Sequence, residues 1–581
     1  MKNIILKGFI YSMVLCVAAC TDIPEYPDGR YTYEEIFGNN KKTAAYLNSC
    51  YNYLRSYGMS YGGSTFLAAF TDESHDANDV LAGAGKSWFE GNVTPYSNPI
   101  DGSAWTHYYE AIRRCNVFLA NIDQAKVYYE DDRESWKAQA YALRAFYYFE
   151  LIKCYGGVPI TTAEYSVDFD YSTIRRASFG ECVKQILADC DKALEAPDES
   201  FSWRSGTSEA ERCTFHKGIV HAIKSQAALF AASPLWNDGT ITWEDAARIT
   251  QEAVDACEKN GYELFVSKPK PSDGHNAYDT YFYTRSDVER TKDKETIFEI
   301  RSQLSVSYDH GLPITEGSVR AGISPSQELV DCYETIDGEI PVLGYRDADH
   351  LVPILNPKAV SYNDADPYKN RDPRLIASIY YNGAPYILGD NQVWIYEGSA
   401  CFNSMTDPTR TRTGYYLRKY SNFKTNKNIG NQDGYFKMYR LATLYLNYAE
   451  AAAEACTGVV PEKAVQVVNK IRNRVGMPSI PTTISKEDFI QKVRNERRIE
   501  LAFEESRFYD VRRWKILNQT DRVVTGMRAV KNEDGSFTYS RYVVNNQRKA
   551  FDDKFLLFPI PGDEVIRLKN KTGIDIQNPG W

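Results

Sequence analysis

Apolar residues recur every three to four positions at both ends of this chain and lose that rhythm in the middle. Such spacing predicts two helical regions flanking an irregular one. Early in the chain Ala44, Leu47, Tyr51 and Leu54 mark a first helix. Residues 70–101 then break the pattern with Gly, Asn, Asp, Ser and Pro, and predict a long loop of the kind that often serves a function in compact proteins. Trp105, Tyr108, Ile112, Cys115 and Leu119 restore a helical face, and "WKAQAYALRAFYYFELIKCYGGVPI" supplies its partner, stopped by Gly156, Gly157 and Pro159. Ser178, three residues before Glu181, opens another helix. Two Ala-rich stretches, "GIVHAIKSQAALFAASPLWND" and "AARITQEAVDACEKNGYELF", complete this part. Short strand-like pieces such as "ETIFEIR", "LIASIYY" and "NQVWIYE" follow in irregular text, and "MRAVKNEDGSFTYSRYVV" reads as a hairpin turning at Asp534 and Gly535.

Residues 437–514 read as three consecutive helices. The first, 438–456, is apolar almost all round, as a buried helix is. Its polar residues Arg440, Thr443, Asn447, Glu450 and Glu454 fall on one stripe. The second carries Ala464, Val467, Val468, Ile471 and Val475 on one side and stops at Gly476 and Pro478. The third begins at Ser485 and runs on to Trp514, with Glu496, Glu500 and Glu504 beside Arg494, Arg497 and Arg498. That density of opposite charges predicts a semi-buried ion network tying helices together. Ala-rich helix pairs that cannot bury a face alone predict a stacked scaffold of the tetratricopeptide kind.

The wording of this region is similar to the SusD/RagB family of outer-membrane nutrient-binding lipoproteins. "RLATLYLNYAEA", "VNKIRNRVGMP", "VRNERRIELAFE", "RFYDVRRWK" and "QNPGW" carry the resemblance, joined by "RAFYYFEL" with "YGGVP", by Ser233-Pro234 and by "NRDPRL" at 370–375, a structural element. The resemblance implies a mainly α fold: a tetratricopeptide-like helical-repeat scaffold with an irregular α/β ligand-binding region. The division read from the chain is a signal at 1–19, a tether at 20–30, an N-terminal helical region at 31–265, the irregular region at 266–431 and a C-terminal helical region at 432–581.

Lys2 and Lys7, the apolar run "FIYSMVLCVAA" and the ending Val17-Ala18-Ala19-Cys20 read as a bacterial lipobox, with Cys20 as the lipidated residue. Loss of Lys2 and Lys7 takes the formal charge from −9 to −11. That acidity argues against nucleic acid as a partner. Asp22, Glu25 and Asp28 resemble the family's cue for display on the outer face. Of twelve cysteines, Cys16 leaves with the signal and Cys20 is acylated; the rest are scattered and read mostly as buried apolar residues, with one or two disulfides left open.

No catalytic motif stands out. The seven histidines show no metal-ligand spacing, no nucleophile elbow, Walker loop or dinucleotide fingerprint occurs, and no pair of carboxylates is singled out. The expectation is no catalysis, no cofactor and no metal. Binding chemistry is better supplied, since flat aromatics cover the C–H faces of a sugar while Asp, Asn and Arg bond its hydroxyls. The 70–101 loop offers Asp72, Trp88, Asn92 and Tyr96, where the resemblance implies ligand contact. Trp88 reads equally as a stacking residue or as a pin holding the loop to the scaffold. Tyr278 and Tyr283 in one cluster, and Tyr308 beside His310 in another, lie where the family places further ligand aromatics. Trp394 and Tyr396 read as sheet packing. The resemblance implies capture of an oligosaccharide at the cell surface and delivery to a SusC-like TonB-dependent outer-membrane transporter, with a lipid anchor in the outer membrane. The alternatives are a RagB-like peptide-binding protein, a surface hydrolase and a lipoprotein without ligand.

Overall fold

The structure, a computed structural model, describes residues 31–55, 65–81, 84–165, 168–206, 211–267, 276–282, 292–305, 310–313, 315, 320–386, 391–421, 431–545 and 548–581. Its longer helices are α1 (Asn40–Tyr51), α2 (Ala104–Asn121), α3 (Glu130–Tyr155), α4 (Phe179–Leu194), α5 (Lys217–Ala232), α6 (Trp243–Lys259), α7 (Leu441–Ala455), α8 (Glu462–Arg474), α9 (Lys486–Glu500), α10 (Ser506–Arg513) and α11 (Gly562–Thr572). Several start where their capping residues dictate. Ser178 and Glu181 cap α4 reciprocally, Ser485 accepts from the Asp488 amide at 3.1 Å, and Asp372 with Pro373 opens the short helix Pro373–Ser378. Helices α2 to α6 pack each on the next, and α7 lies on α5 and α6. The C-terminal helices therefore join the N-terminal ones around one core, as the mainly α expectation requires.

Strands pair only in twos among the described residues. β1 (Ser74–Asp76) lies antiparallel to β3 (Ile323–Pro325), and β2 (Thr296–Ser305) to β6 (Asn431–Arg440). β4 (Val342–Tyr345) pairs with β5 (Pro353–Leu355). β7 (Val524–Lys531) and β8 (Phe537–Asn545) form the hairpin expected at Asp534-Gly535, where Gly535 takes a φ of 84°.

Three local readings change. First, 438–440 end β6 rather than begin α7. Arg440 is extended, which sends the Leu441 amide to the Glu295 carbonyl at 3.0 Å. Second, 486–514 is two helices. Residues 501–505, Leu-Ala-Phe-Glu-Glu, contain no helix breaker, yet Phe503 and Glu505 turn to φ 61° and 65°. Each left-handed residue costs roughly 1–2 kcal/mol. The turn offsets that with contacts a helix would forbid. The Ala502 and Phe503 carbonyls accept from Lys419 Nζ at 2.7 Å and Tyr420 OH at 2.9 Å, Glu504 reaches Arg440 and Lys419, and Glu505 pairs with Arg55 at 3.0 Å. Third, the start of the 70–101 segment is interior: Phe70 to Asp76 are all buried, and the segment holds β1 and a short helix, Ala84–Phe89.

The expected ion network is present and deeper than semi-buried. Arg374 meets Asp372, Glu496 and Glu500; Arg440 meets Glu295, Glu500 and Glu504; Arg472 meets Glu334 and Glu496. Arg474 adds pairs to Glu295 and Glu500. Burial would raise the Glu500 carboxyl, but Arg474, Arg440 and Arg374 hold it far below the usual range. A second cluster joins Glu450 to Arg513 and Trp514, and Arg497 to Asp510 and Asn447. Asn447 and Glu450 of the polar stripe thus serve the scaffold.

Candidate functional site

Three of the residues read as ligand contacts are interior. Trp88 is 2% exposed and ringed by Phe70, Phe508, Phe555 and Phe558 at 5.5–6.3 Å, so neither indole face is open to a sugar; it pins its segment to the core. Asp72 is buried between Arg507, at 2.8 Å to each oxygen, and Arg498 at 2.7 Å. Burial alone would push its carboxyl up, but the two guanidiniums prevail and hold it at about 2. Tyr278 is buried as well, its hydroxyl donating to the Glu500 carbonyl at 2.9 Å. Both ring nitrogens of His310 bond backbone carbonyls, of Gly311 and Lys419. Asn92 and Tyr96 are exposed; Asn92 bonds Glu90, and the Tyr96 ring covers Gly562 at the start of α11. Tyr283, Tyr308 and Cys20 lie outside the described residues.

The exposed aromatic surface lies elsewhere. Val393 and Ile395 are each 1% exposed, whereas Trp394 between them is 41% exposed. The period of two that suggested packing holds, and it turns the indole outward. Trp394 stacks on Phe537 of β8 at 5.7 Å and 26°, and Tyr396 sits edge-on to Trp394 at 6.2 Å and tilted against Phe537 at 5.6 Å. The row continues through Tyr539, Tyr368 and Tyr381, with centroid spacings of 6.3, 5.4 and 4.3 Å. Trp394 is therefore braced on Phe537 while a large part of the indole stays open to solvent. Phe537 and Tyr539, two apart after a Gly turn, were the signal in the sequence for a shared aromatic face.

The backbone beneath is fixed. The Gly383 amide bonds the Val393 carbonyl at 2.8 Å, and Gly383 lies under the indole with φ 84°, where a Cβ would sit 3.6 Å from the ring. Asn382 accepts from the Ile395 amide at 3.0 Å and donates to the Tyr539 hydroxyl at 3.3 Å. Ser399 donates to the Trp394 carbonyl at 2.9 Å, and the Glu397 amide bonds Ala529 on β7 at 2.8 Å. Gln392, Glu397 and Lys531 are exposed at the edges, Lys531 Nζ lying 5.6 Å from the Tyr396 ring centre. A rigid aromatic strip with donors and acceptors at its margins suits a ligand with apolar faces and a hydroxyl rim. Among the described residues no group of His, Cys, Asp or Glu is arranged to hold a metal ion.

Sequence comparison agrees with the architecture. The SusD family signature matches residues 280–581, and a second, described as starch-binding associating with outer membrane, matches 36–209. The first covers more than half of the chain, which belongs to the SusD family. It is 24% identical over 583 residues to SusD-like protein P2 of Formosa agariphila, covering 98% of each chain. Among solved structures it is similar to a SusD-like protein from Bacteroides fragilis NCTC 9343, with TM-score 0.73 and 26% identity over 95% of this chain and 99% of that one. A SusD-like carbohydrate binding protein from the same organism aligns with TM-score 0.68 and 22% identity over 92% and 99% of the two chains.

Proposed function

We propose that this protein binds an oligosaccharide at the cell surface and passes it to a SusC-like TonB-dependent transporter, working by binding rather than covalent chemistry. The observation that carries the reading is the outward-facing Trp394 braced on Phe537. Family membership supports it, as do the starch-binding description of the N-terminal match and the carbohydrate-binding relative. The test is calorimetry with maltoheptaose, laminarihexaose and xylohexaose. Trp394→Ala should weaken binding roughly tenfold, equivalent to about 1.4 kcal/mol, at nearly unchanged melting temperature. Trp88→Ala is the packing control and should lose about 3–5 kcal/mol of stability. Unchanged affinity in Trp394→Ala removes the platform from the reading, and new reducing ends in the incubations would favour a hydrolase.

Attachment through lipid on Cys20 belongs to the same proposal and rests on the Val17-Ala18-Ala19-Cys20 run and the outer-membrane description. No helix among the described residues is long and apolar enough to cross a membrane. Cys20→Ala should give unlipidated protein lost from outer-membrane fractions; lipid-modified protein still present there would refute the anchor.

A further inference from the structure

One face of α2 presents Trp105, Tyr109 and Arg113 across a groove from Glu564 and Arg567 of α11, with Pro159, Thr161, Tyr165, Tyr171 and Ile174 closing the third side. The groove holds about 420 Å³, within the roughly 300–1,000 Å³ of small-ligand sites. Its floor is aromatic. Trp105 and Tyr109 lie 5.1 Å apart, and the Tyr109 hydroxyl donates to the Pro159 carbonyl at 2.7 Å, which fixes that ring. Tyr165 and Tyr171 form the outer wall; Tyr165 stacks on Phe169 at 3.9 Å, and Tyr171 stands edge-on to Tyr165 and Phe169 at 6.3 and 5.1 Å. None of the three belongs to a core cluster, and Tyr171 is 45% exposed. Aromatic surface ordered outside the core marks a contact with something else.

The rim is charged but balanced. Arg113 and Glu110 stand on α2, and Glu564 pairs with Arg567 at 2.9 Å on α11. Two cations against two anions give no reason for a charged ligand, while guanidinium donors beside carboxylate acceptors match vicinal hydroxyls. A peptide held by strand addition would need an open strand edge. The walls are two helices and a segment with no strand among its described residues. We propose that this groove is a second carbohydrate site, built from elements other than those of the Trp394 platform, that takes a short uncharged stretch of oligosaccharide.

The test uses the full chain with maltoheptaose, laminarihexaose and xylohexaose at up to millimolar concentration. Hydrogen exchange is followed in peptides from 159–174 and from 391–399. A bound probe should slow exchange at 159–174 both in the wild type and in Trp394→Ala. Adding Tyr171→Ala and Arg113→Ala should abolish that protection and lower the residual affinity of Trp394→Ala at least tenfold, whereas Tyr171→Trp should retain it. Protection confined to 391–399, protection at 159–174 that survives the paired change, or no protection there by any probe overturns the groove as a site. Protection at 159–174 with none at 391–399 instead overturns the Trp394 platform and leaves the groove standing.

Discussion

Glu73 is 1% exposed, and neither of its carboxylate oxygens has a hydrogen-bond partner. Burial, reinforced by the neighbouring Asp72, pushes its carboxyl up to about 8 against the pull of Arg507, Arg498 and Lys419. It is carried as the neutral acid at pH 7. The folded chain then holds a proton that the unfolded chain releases, so stability falls as pH rises: the contribution is complete below the ordinary value of 4.5 and lost as pH passes through about 8. Glu73→Gln, neutral throughout, should be more stable than the wild type at pH 8 by on the order of 1 kcal/mol or more, with the gain vanishing near pH 4. Parallel melting curves across that range would refute the buried acid. Trp88 and Trp394 show what single residues did and did not disclose. Trp88 stands in Gly-rich text, and three of the rings around it, Phe508, Phe555 and Phe558, come from more than four hundred positions later, beyond any local pattern. Trp394 obeyed its local period, but that period could not say which face of the strand was the covered one.

At the scale of elements, helical periodicity carried most of the scaffold. Caps at Ser178 and Ser485 and the turn at Gly535 stood where their chemistry put them. The break at 501–505 stayed hidden because its cause is distant: Lys419, Tyr420 and Arg440 draw the turn inward. Glu500, the last residue of α9, accepts from Arg374, Arg440 and Arg474 at once. Glu500→Gln leaves three buried guanidiniums short of one negative charge and should cost about 3–5 kcal/mol, as breaking a buried pair does. Urea unfolding measures it. A loss under 1 kcal/mol would mean that the cluster tolerates an unpaired cation. Glu500→Leu should be worse still, because it also removes the hydrogen-bond acceptors.

At the scale of the whole molecule, residues 576–578 dock on the N-terminal helices. Arg176 donates to the Ile576 carbonyl at 2.8 Å and to Asn578 at 2.6 Å, and Asn578 donates in turn to the Tyr155 carbonyl at 3.0 Å and the Phe558 carbonyl at 2.7 Å. Trp581 sets its ring edge-on to Phe555, itself in contact with Trp88. Removing 577–581 should lower the melting temperature of the entire chain in one transition, seen by calorimetry. Two separate transitions, with the N-terminal one unmoved, would show that the helical regions fold independently.

The docking of 576–578 also sets an order of events in time. Arg176 and its partners at 576 and 578 are 400 and 402 positions apart. At about 5–20 residues per second, synthesis needs roughly 20–80 s to supply one after the other. Until then the Tyr155 carbonyl and the faces of Trp88 await groups not yet made, Asn578 for the one and Phe555 and Phe558 for the other. The first helices thus leave the ribosome as an unfinished surface, and whatever escorts this chain must shield it until the closing segment arrives.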